Sequence, residues 1–331
     1  MKISIALATY NGERYLKEQL ESINSQTIKP DEVIFCDDAS TDSTINIIKD
    51  FKNSVPYSCQ IIKNIEKKGA SVSFKRAIDF CKGDIIFFCD QDDVWMPNKI
   101  ELMEKEFLNN PNIDFVISDA LIVDNNLENL GYTLWQQRKF NKYWQHKFLS
   151  NKEINVFLKK NIITGMTTAI SSNLKEIGDC KPEQVYHDAW YIYIASINNM
   201  HGSLIREPLV KYRQHENQQF GALKKNLMLR IRNYYKNYYF DINKSISILD
   251  PLIQYCNNHD LNSEASLEFL NKYKYLKRRK SILIDANYKS FFRILYEIFN
   301  LNYLKYGSIN DIPLDLLFSI KLMVHKYLTN N

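Results

Sequence analysis

The sequence is organised around one stretch, Gly83-Asp84-Ile85-Ile86-Phe87-Phe88-Cys89-Asp90-Gln91-Asp92-Asp93-Val94-Trp95-Met96-Pro97. Its apolar run, residues 85–89, has the length and composition of one buried strand, and three carboxylates follow closely. Asp90 and Asp92 alternate on an extended chain, so both side chains can point to one spot. Clustered carboxylates repel one another unless a cation is present, and Mg²⁺ or Mn²⁺ prefers oxygen ligands and often bridges to phosphates. The stretch therefore predicts a metal–diphosphate site at a strand end, with an acidic surface turn as the alternative.

Strand-like and helix-like segments alternate on both sides of this stretch. Short apolar strands are predicted at residues 3–8, 33–36, 59–62 and 85–89, and apolar residues recur at helical spacing between them. This alternation is typical of an α/β fold with a doubly wound, mostly parallel sheet. We therefore expect that fold class for the N-terminal part of the chain.

Two other predicted strands also end in polar residues. Thr9-Tyr10-Asn11-Gly12 follows the first strand as a turn, and Asp37-Asp38 follows the second. The carboxyl ends of parallel strands lie at one edge of the sheet, which is where open α/β sheets bind their ligands. The coincidence of three polar strand ends favours a ligand site over unrelated surface turns.

The pattern becomes less regular after residue 97. Residues 131–160 are rich in aromatic and basic residues, which is typical either of an acceptor-binding loop or of a packed helical insert. From about residue 223 the chain has helical spacing, few glycines and many tyrosines and lysines. We therefore predict a catalytic domain at residues 1–222 and a basic, tyrosine-rich helical extension at residues 223–331.

The charge of the chain is concentrated in that extension. Residues 222–331 carry 17 Lys and Arg against 9 Asp and Glu, whereas the whole 331-residue chain has a net charge of +5. A basic-aromatic cluster at residues 272–280 predicts a module that rests on an anionic membrane surface, with a dimerisation or packing element as the alternative. The acidic strand ends argue against a nucleic-acid-binding role for the chain as a whole.

The expected location is cytoplasmic and peripheral on the inner face of the cell membrane. No apolar stretch reaches the roughly 18 residues needed to span a bilayer, and the N-terminus shows no signal-peptide pattern. The six cysteines form no CxxC pair, so we expect reduced, buried thiols rather than a disulfide framework or a zinc site.

Several motifs, in order and spacing, resemble glycosyltransferase family 2. They are Ala6-Leu7-Ala8-Thr9-Tyr10-Asn11-Gly12, Asp37-Asp38-Ala39-Ser40-Thr41-Asp42, Asp90-Gln91-Asp92-Asp93-Val94-Trp95-Met96-Pro97, Gly165-Met166-Thr167-Thr168, His187-Asp188 and Tyr212-Arg213-Gln214-His215. The resemblance covers about residues 1–220. The form Asp-Gln-Asp-Asp-Val-Trp is similar to a rhamnosyltransferase-like branch that builds bacterial surface polysaccharides such as capsule or O-antigen.

The resemblance implies a GT-A fold and an inverting transfer of one sugar from a nucleotide-diphospho-sugar, UDP- or dTDP-linked, to a glycan or lipid-linked acceptor. It assigns Thr9, Tyr10, Asn11 and Asp38 to the nucleotide. Tyr10 would pack on the base and Asp38 would accept a hydrogen bond from its ring N–H. The Gln-x-x-Arg-Trp signature of processive synthases is absent from the sequence, which favours one addition per encounter.

The resemblance also implies a Mn²⁺ or Mg²⁺ cofactor and a catalytic base. Asp90 would hold the ribose or the metal, Asp92 would ligate the metal, and His215 would approach the metal or the diphosphate. Asp188 would be the base, where the family often has Glu-Asp and this chain has His187-Asp188. A helix-end charge stabilised by the helix dipole is the alternative for Asp188.

A phosphatase is the competing interpretation of the acidic stretch. Asp90-Gln91-Asp92-Asp93-Val94 satisfies the nucleophile motif of haloacid-dehalogenase-type phosphatases, in which Asp90 and Asp92 would act on a phosphoester. That interpretation leaves Thr9-Tyr10-Asn11 and Asp37-Asp38 unexplained, so the glycosyltransferase is the preferred hypothesis.

Overall fold

The computed structural model describes residues 1–150, 152–160, 162–178, 185–216, 227–285, 288–308, 311–313, 315–316 and 319–320. The chain divides into two compact units. One comprises Met1–Glu153 with Asn161–Lys224, and the other comprises Ile154–Lys160 with Lys225–Asn331. The domain boundary expected between residues 222 and 223 lies outside the described residues.

The first unit is built on one sheet. Its strands are β1 Ile3–Thr9, β2 Glu32–Asp37, β3 Ser58–Lys63, β4 Ile85–Cys89, β5 Val94–Trp95, β6 Ile113–Val123, β7 Asn129–Thr133, β8 Thr168–Ser171 and β9 His201–Arg213. The strand order is β3-β2-β1-β4-β8-β6-β9-β5, and β7 pairs with β6. The polar strand ends of β1, β2 and β4 therefore lie on three neighbouring strands, as expected.

The sheet is parallel where the site is predicted. β1 pairs parallel with β2 and β4, and β2 pairs parallel with β3. Every residue of β1 and β4 is buried, which is expected for central strands covered on both faces by helices. β8 runs antiparallel to β4 and β6, while β6 and β9 are parallel. The predicted α/β class with a mostly parallel sheet is confirmed.

The helices alternate with the first strands and then occupy the C-terminal part. They are α1 Leu16–Asn24, α2 Thr44–Ser54, α3 Ala70–Phe80, α4 Lys99–Asn109, α5 Leu134–Gln137, α6 Lys142–Leu149, α7 Glu153–Phe157, α8 Ser172–Ile177, α9 His187–Ile197, α10 Leu227–Asn258, α11 Glu264–Asp285, α12 Tyr288–Phe299 and α13 Asn302–Tyr306. A 3₁₀ turn, Gly165–Thr167, precedes β8. Among the described residues, none of the helices combines the length and apolar character that a membrane span requires.

The insert at residues 131–160 is a packed helical segment in its described part. Trp135, Phe140 and Phe148 are buried, and the ring centroid of Phe140 lies 5.0 Å from that of Trp135. Tyr143 remains exposed. Of the two alternatives for this insert, the structure therefore favours packing for most of its aromatic residues.

The second unit has a core of its own around α11. Tyr275 is fully buried, and Arg279 beside it forms ion pairs with two carboxylates. Nη1 of Arg279 lies 3.0 Å from Asp311 Oδ2, and its Nε lies 2.7 Å from Asp315 Oδ2. The predicted helical extension is confirmed, but these members of the basic-aromatic cluster at residues 272–280 face inward and stabilise the unit.

The cysteines agree with the expectation for reduced thiols as far as the structure describes them. Cys36, Cys59, Cys81, Cys89 and Cys256 are free and buried, and Cys180 lies outside the described residues.

Candidate active site

A cavity of about 510 Å³ lies at the carboxyl ends of β1, β2 and β4. This volume is within the range of sites that bind small molecules and cofactors. The residues that line the cavity include all seven that the sequence predicted for nucleotide and metal binding, namely Thr9, Tyr10, Asn11, Asp38, Asp90, Asp92 and His215. The structure thus brings together side chains from three strand ends and from the segment after β9.

The turn after β1 is fixed to its neighbours through hydrogen bonds. Thr9 Oγ1 donates to Asp37 Oδ1 at 2.9 Å, and the Asn11 N–H donates to Ser40 Oγ at 2.9 Å. The N–H of Tyr10 donates to Gln91 Oε1 at 2.9 Å, and Gln91 Nε2 donates to the Tyr10 carbonyl at 3.0 Å. The backbone of the Thr9-Tyr10-Asn11 turn is therefore held between the segments that follow β2 and β4.

Tyr10 presents its ring at the cavity. The side chain is 38% exposed, although most aromatic residues of this unit are buried. Nζ of Lys67 lies 3.7 Å from the ring centroid, a cation–π contact. An exposed ring on a fixed backbone can stack on a planar group, and the predicted contact with a nucleotide base stays a prediction.

The two aspartates at the carboxyl end of β2 have different roles. Asp37 accepts hydrogen bonds from Thr9 Oγ1 and Ser40, and it fixes the neighbouring turn. Asp38 lines the cavity and accepts hydrogen bonds from the N–H groups of Lys68 at 2.7 Å and Gly69 at 2.8 Å. The sequence alone did not distinguish the two residues, because adjacent side chains on a strand end differ only in the face that they reach.

Hydrogen bonding keeps Asp38 ionised inside the protein. Burial on its own would raise the pKa of Asp38, but the bonds from the Lys68 N–H, the Asn64 side chain and the Gly69 N–H outweigh it and lower the pKa below its ordinary value. Asn64 Nδ2 donates to Asp38 Oδ1 at 2.7 Å. The carboxylate therefore organises the segment between β3 and α3 that forms one wall of the cavity.

Asp38→Asn is expected to destabilise the protein by about 1–3 kcal/mol at neutral pH, because buried donors lose their charged acceptor. The pKa of Asp38 is lower in the folded state than in the unfolded state, so its ionised form stabilises the fold. This stabilisation is fully present when the pH is above the unfolded-state pKa of about 3.9, and it is lost as the pH falls toward the folded-state pKa. The free energy of unfolding measured with urea should thus differ between wild type and variant at neutral pH, and this difference should become smaller at acidic pH. Asp50→Asn, at an exposed position on α2, is the control. A difference in the free energy of unfolding between wild type and Asp38→Asn that does not depend on pH would contradict the stabilising role of the ionised Asp38.

The carboxylates after β4 form a cluster in which the negative charges repel one another. Burial, followed by the charges of Asp92 and Asp188, raises the pKa of Asp90 to about 8. Asp92 Oδ2 lies 2.8 Å from Nε2 of His215. Asp93 is buried, and within the described part of the chain its Oδ2 has no hydrogen-bond partner. The carboxylates of this cluster therefore disfavour one another's ionised forms, as the raised pKa of Asp90 shows.

This donor set fits a hard divalent cation. Carboxylate oxygens of Asp90 and Asp92 line one cavity with the imidazole of His215, and Mg²⁺ and Mn²⁺ prefer such oxygen ligands. Among the described residues, no three His, Cys, Asp or Glu side chains are grouped closely enough to hold a metal on their own. A cation here would thus rely on one or two carboxylates plus oxygen ligands from a substrate, a mode that is common for Mg²⁺ with phosphates.

Asp188 is placed by the start of α9 and does not line the cavity. It lies in the first turn of that helix, its Oδ1 accepts a hydrogen bond from the Ala189 N–H at 2.7 Å, and its charge acts on Asp90. The preceding His187 packs its ring against Phe74, with ring centroids 3.8 Å apart. Asp188 therefore lies at a helix start, as its alternative interpretation requires, while its role as a base stays a prediction.

A buried arginine that the sequence left without a role holds the segment that follows β4. Arg213 donates from Nε to the carbonyl of Asp92 at 2.8 Å and from Nη1 to the carbonyl of Asn125 at 2.6 Å, and it forms an ion pair with Glu18. Its own N–H donates to Asp93 Oδ1 at 3.1 Å. The signal was present, because Arg213 belongs to the Tyr-Arg-Gln-His motif, but its contacts depend on the tertiary fold.

A buried lysine is the second site residue that sequence reasoning missed. Lys99, at the start of α4, is fully buried, and its Nζ donates to the Met166 carbonyl and lies 4.2 Å from the Trp95 ring centroid. Burial lowers the pKa of Lys99 to about 7, against the opposing effect of the charges of Cys89, Asp93 and Asp90. Nothing in the local sequence marks this lysine as internal, so only the fold reveals it.

The chain is similar to known proteins both in sequence and in fold. The sequence matches the family described as "Glycosyl transferase family 2" over residues 4–175. A curated relative, "dTDP-rhamnosyl transferase RfbG" of Shigella flexneri, is 32% identical over 227 residues, which is 65% of this chain and 74% of that protein. "UDP-Glc:alpha-D-GlcNAc-diphosphoundecaprenol beta-1,3-glucosyltransferase WfgD" of Escherichia coli is 32% identical over 124 residues, which is 38% of this chain and 47% of that protein.

Solved structures share the fold at lower sequence identity. TarS residues 1–349 of S. aureus, in complex with UDP-GlcNAc, aligns with a TM-score of 0.55 and 19% identity over 88% of this chain and 78% of that chain. The mannosyltransferase PcManGT of Pyrobaculum calidifontis, in complex with GDP-Man and Mn²⁺, aligns with a TM-score of 0.50 and 16% identity over 96% of this chain and 86% of that chain. These similarities confirm the GT-A type of fold.

Proposed function

The chain belongs to glycosyltransferase family 2, and from this premise we propose that it moves one sugar from a nucleotide-diphospho-sugar to a hydroxyl of a glycan, with inversion at the anomeric carbon. One observation carries the proposal. Three strand ends and the segment after β9 contribute seven side chains to a single cavity whose size suits a nucleotide. The phosphatase alternative is not favoured, because the matched family and the relatives are glycosyltransferases.

The proposed donor is a pyrimidine nucleotide sugar, UDP- or dTDP-linked. Two relatives support this choice by the donors in their names, dTDP-rhamnosyl and UDP-Glc. In this chain, the exposed ring of Tyr10 is suited to stack on the base. Asp38, which lines the cavity and is kept ionised by its hydrogen bonds, is suited to accept from a ring N–H.

The proposed acceptor is a lipid-linked oligosaccharide in the synthesis of a bacterial surface polysaccharide, either capsule or O-antigen. The support is the relative WfgD, whose name describes a diphosphoundecaprenol acceptor. Such an acceptor would require the enzyme to work at the inner face of the cell membrane as a peripheral protein.

The chemistry that we propose follows from the charges at the strand ends. The carboxylates of Asp92 and Asp90 would hold Mn²⁺ or Mg²⁺, with His215 beside Asp92 to orient its carboxylate. When bound, the ion would neutralise the charge that develops on a diphosphate leaving group. The Asp188 carboxylate would accept the proton of the acceptor hydroxyl as that oxygen attacks the anomeric carbon from the face opposite the diphosphate. Arg213 would keep Asp92 in position through the hydrogen bond that its Nε donates to the Asp92 carbonyl.

Product analysis with a panel of nucleotide sugars tests the proposal. The purified chain is incubated with UDP- and dTDP-linked sugars, Mn²⁺ and lipid-linked acceptors, and mass spectrometry should detect an acceptor that is heavier by one sugar. A parallel reaction with a generic phosphoester should release no phosphate. Phosphate release without sugar transfer would instead favour the phosphatase interpretation.

His215→Ala is expected to weaken the apparent affinity for Mn²⁺ by about 10- to 100-fold, the usual range when a residue that orients a metal ligand is lost. The physical reason is that His215 Nε2 lies 2.8 Å from Asp92 Oδ2, so its removal frees the carboxylate to rotate. The measurement is transfer rate against Mn²⁺ concentration. His146→Ala, at an exposed position on α6, is the matched control, and equal Mn²⁺ dependence in the two variants would remove His215 from the metal site.

A further inference from the structure

Helix α12 in the second unit exposes an apolar face. Phe292, Tyr296 and Phe299 are 64%, 54% and 80% exposed. They lie at positions i, i+4 and i+7 and therefore share one side of the helix. Phe291 is also exposed, and its ring centroid lies 5.9 Å from that of Phe292.

The opposite side of α12 accounts for the packing of this helix. Ser290, Ile294 and Glu297 are buried, and they lie at positions i, i+4 and i+7 of their own stripe. The helix is thus anchored by one face, while its aromatic face is exposed in the part of the chain that the structure describes. A helix on a protein surface normally turns charged or polar residues outward, so four exposed aromatic side chains on one short helix indicate an interaction surface.

The charges beside this aromatic face are positive. Lys289 is exposed and Arg293 is half-buried, and the guanidinium of Arg278 lies 5.6 Å from the Tyr296 ring centroid. The helix contains one carboxylate, Glu297, which is buried and forms an ion pair with Arg278. An aromatic face with cations at its border and no exposed carboxylate of its own complements an apolar layer beneath anionic headgroups.

We propose that the exposed face of α12 docks on an anionic lipid surface, with Phe292, Tyr296 and Phe299 inserted at the level of the headgroups. The second unit carries a net positive charge in sequence, and within its described residues α12 combines an exposed aromatic face with cations at its border. The inference rests on the proposed function only for the lipid-linked acceptor that would make such docking useful.

Flotation of the full chain with vesicles tests the docking surface. Wild type should bind vesicles of phosphatidylglycerol and phosphatidylcholine at low salt, bind less at high salt, and bind poorly to phosphatidylcholine alone. The double variant Phe292→Ser/Phe299→Ser should lower the partition coefficient by about tenfold or more, because two apolar side chains no longer insert. Lys289→Glu should weaken binding at low salt and have little effect at high salt.

Phe240→Ser is the matched control, since Phe240 is a 65% exposed phenylalanine on α10 of the same unit. Its partition coefficient should stay within about twofold of wild type, and circular dichroism should show that all variants are folded. The proposal would be overturned if wild type did not bind the vesicles at low salt, or if the double variant bound them as well as wild type. A concentration-dependent dimer that the double variant loses would also overturn it, because the face would then contact a second copy.

Donor hydrolysis in solution separates this inference from the proposed function. The double variant should turn over the donor without vesicles at the wild-type rate, since the substitutions lie outside the residues that line the cavity. A chain that binds vesicles through α12 and turns over no nucleotide sugar would support the docking surface and contradict the proposed function.

Discussion

Asparagine in place of Asp92 is expected to reduce sugar transfer by about 10²–10³-fold or more, the usual scale for losing electrostatic stabilisation of a leaving group. Asp92 lines the cavity beside Asp90 and lies 2.8 Å from Nε2 of His215, and asparagine keeps the shape of the side chain without its charge. The residue is partly exposed and its backbone carbonyl still accepts from Arg213, so the fold should be retained. The measurement is the initial rate of product formation with saturating Mn²⁺.

Asp50→Asn on α2 serves as the control for a change of aspartate to asparagine outside the cavity, and it should transfer sugar at the wild-type rate. Chelation by EDTA should reproduce the effect of the Asp92 variant in wild type, and added Mn²⁺ or Mg²⁺ should reverse it. Full activity of extensively dialysed enzyme in EDTA would exclude the metal role of Asp92.

Asp188→Asn is expected to reduce transfer by about 10²-fold or more, the usual scale for losing a general base. Asparagine preserves the size of the side chain in the first turn of α9 but cannot accept a proton. Binding of the donor nucleotide should change little, since Asp188 is not among the residues that line the cavity. The two quantities to measure are product formation by mass spectrometry and nucleotide affinity by calorimetry.

Separate outcomes distinguish the possible roles of Asp188. A variant that keeps most of its transfer rate would show that Asp188 is a helix-end charge stabilised by the dipole of α9. A variant that also loses nucleotide binding would assign the residue to the donor site, which its electrostatic effect on Asp90 makes physically reasonable. Asp50→Asn again controls for the substitution itself.

The sequence predicts the parallel strands of the sheet well because a few consecutive apolar residues are enough to indicate each buried strand. The apolar run at residues 85–89 is β4 to the residue, since a strand covered on both faces must be apolar throughout and ends where the carboxylates begin. The polar ends of β1, β2 and β4 then meet because neighbouring parallel strands share an edge. The predicted cavity residues therefore come together because they follow strands that pair with one another.

The remaining features depend on contacts between distant segments. The strand β9 His201–Arg213 contains several polar residues, which conceal its length in the sequence. Lys99 is buried near the carboxylates after β4, and Arg213 reaches α1 and the carbonyl of Asn125, although neither residue has an apolar neighbourhood that would signal burial in sequence. Buried cations are recognised only when the fold shows which carboxylates and carbonyls they serve.

Calorimetric titration of the purified chain with UDP- and dTDP-linked sugars, with and without Mn²⁺, measures whether the cavity at the ends of β1, β2 and β4 binds a nucleotide-diphospho-sugar together with a divalent cation. We predict saturable binding of at least one such donor in Mn²⁺, much weaker binding in EDTA, and a loss of the Mn²⁺ effect in Asp92→Asn. Equal affinity in Mn²⁺ and EDTA, or the absence of binding by every donor of both classes, would contradict it.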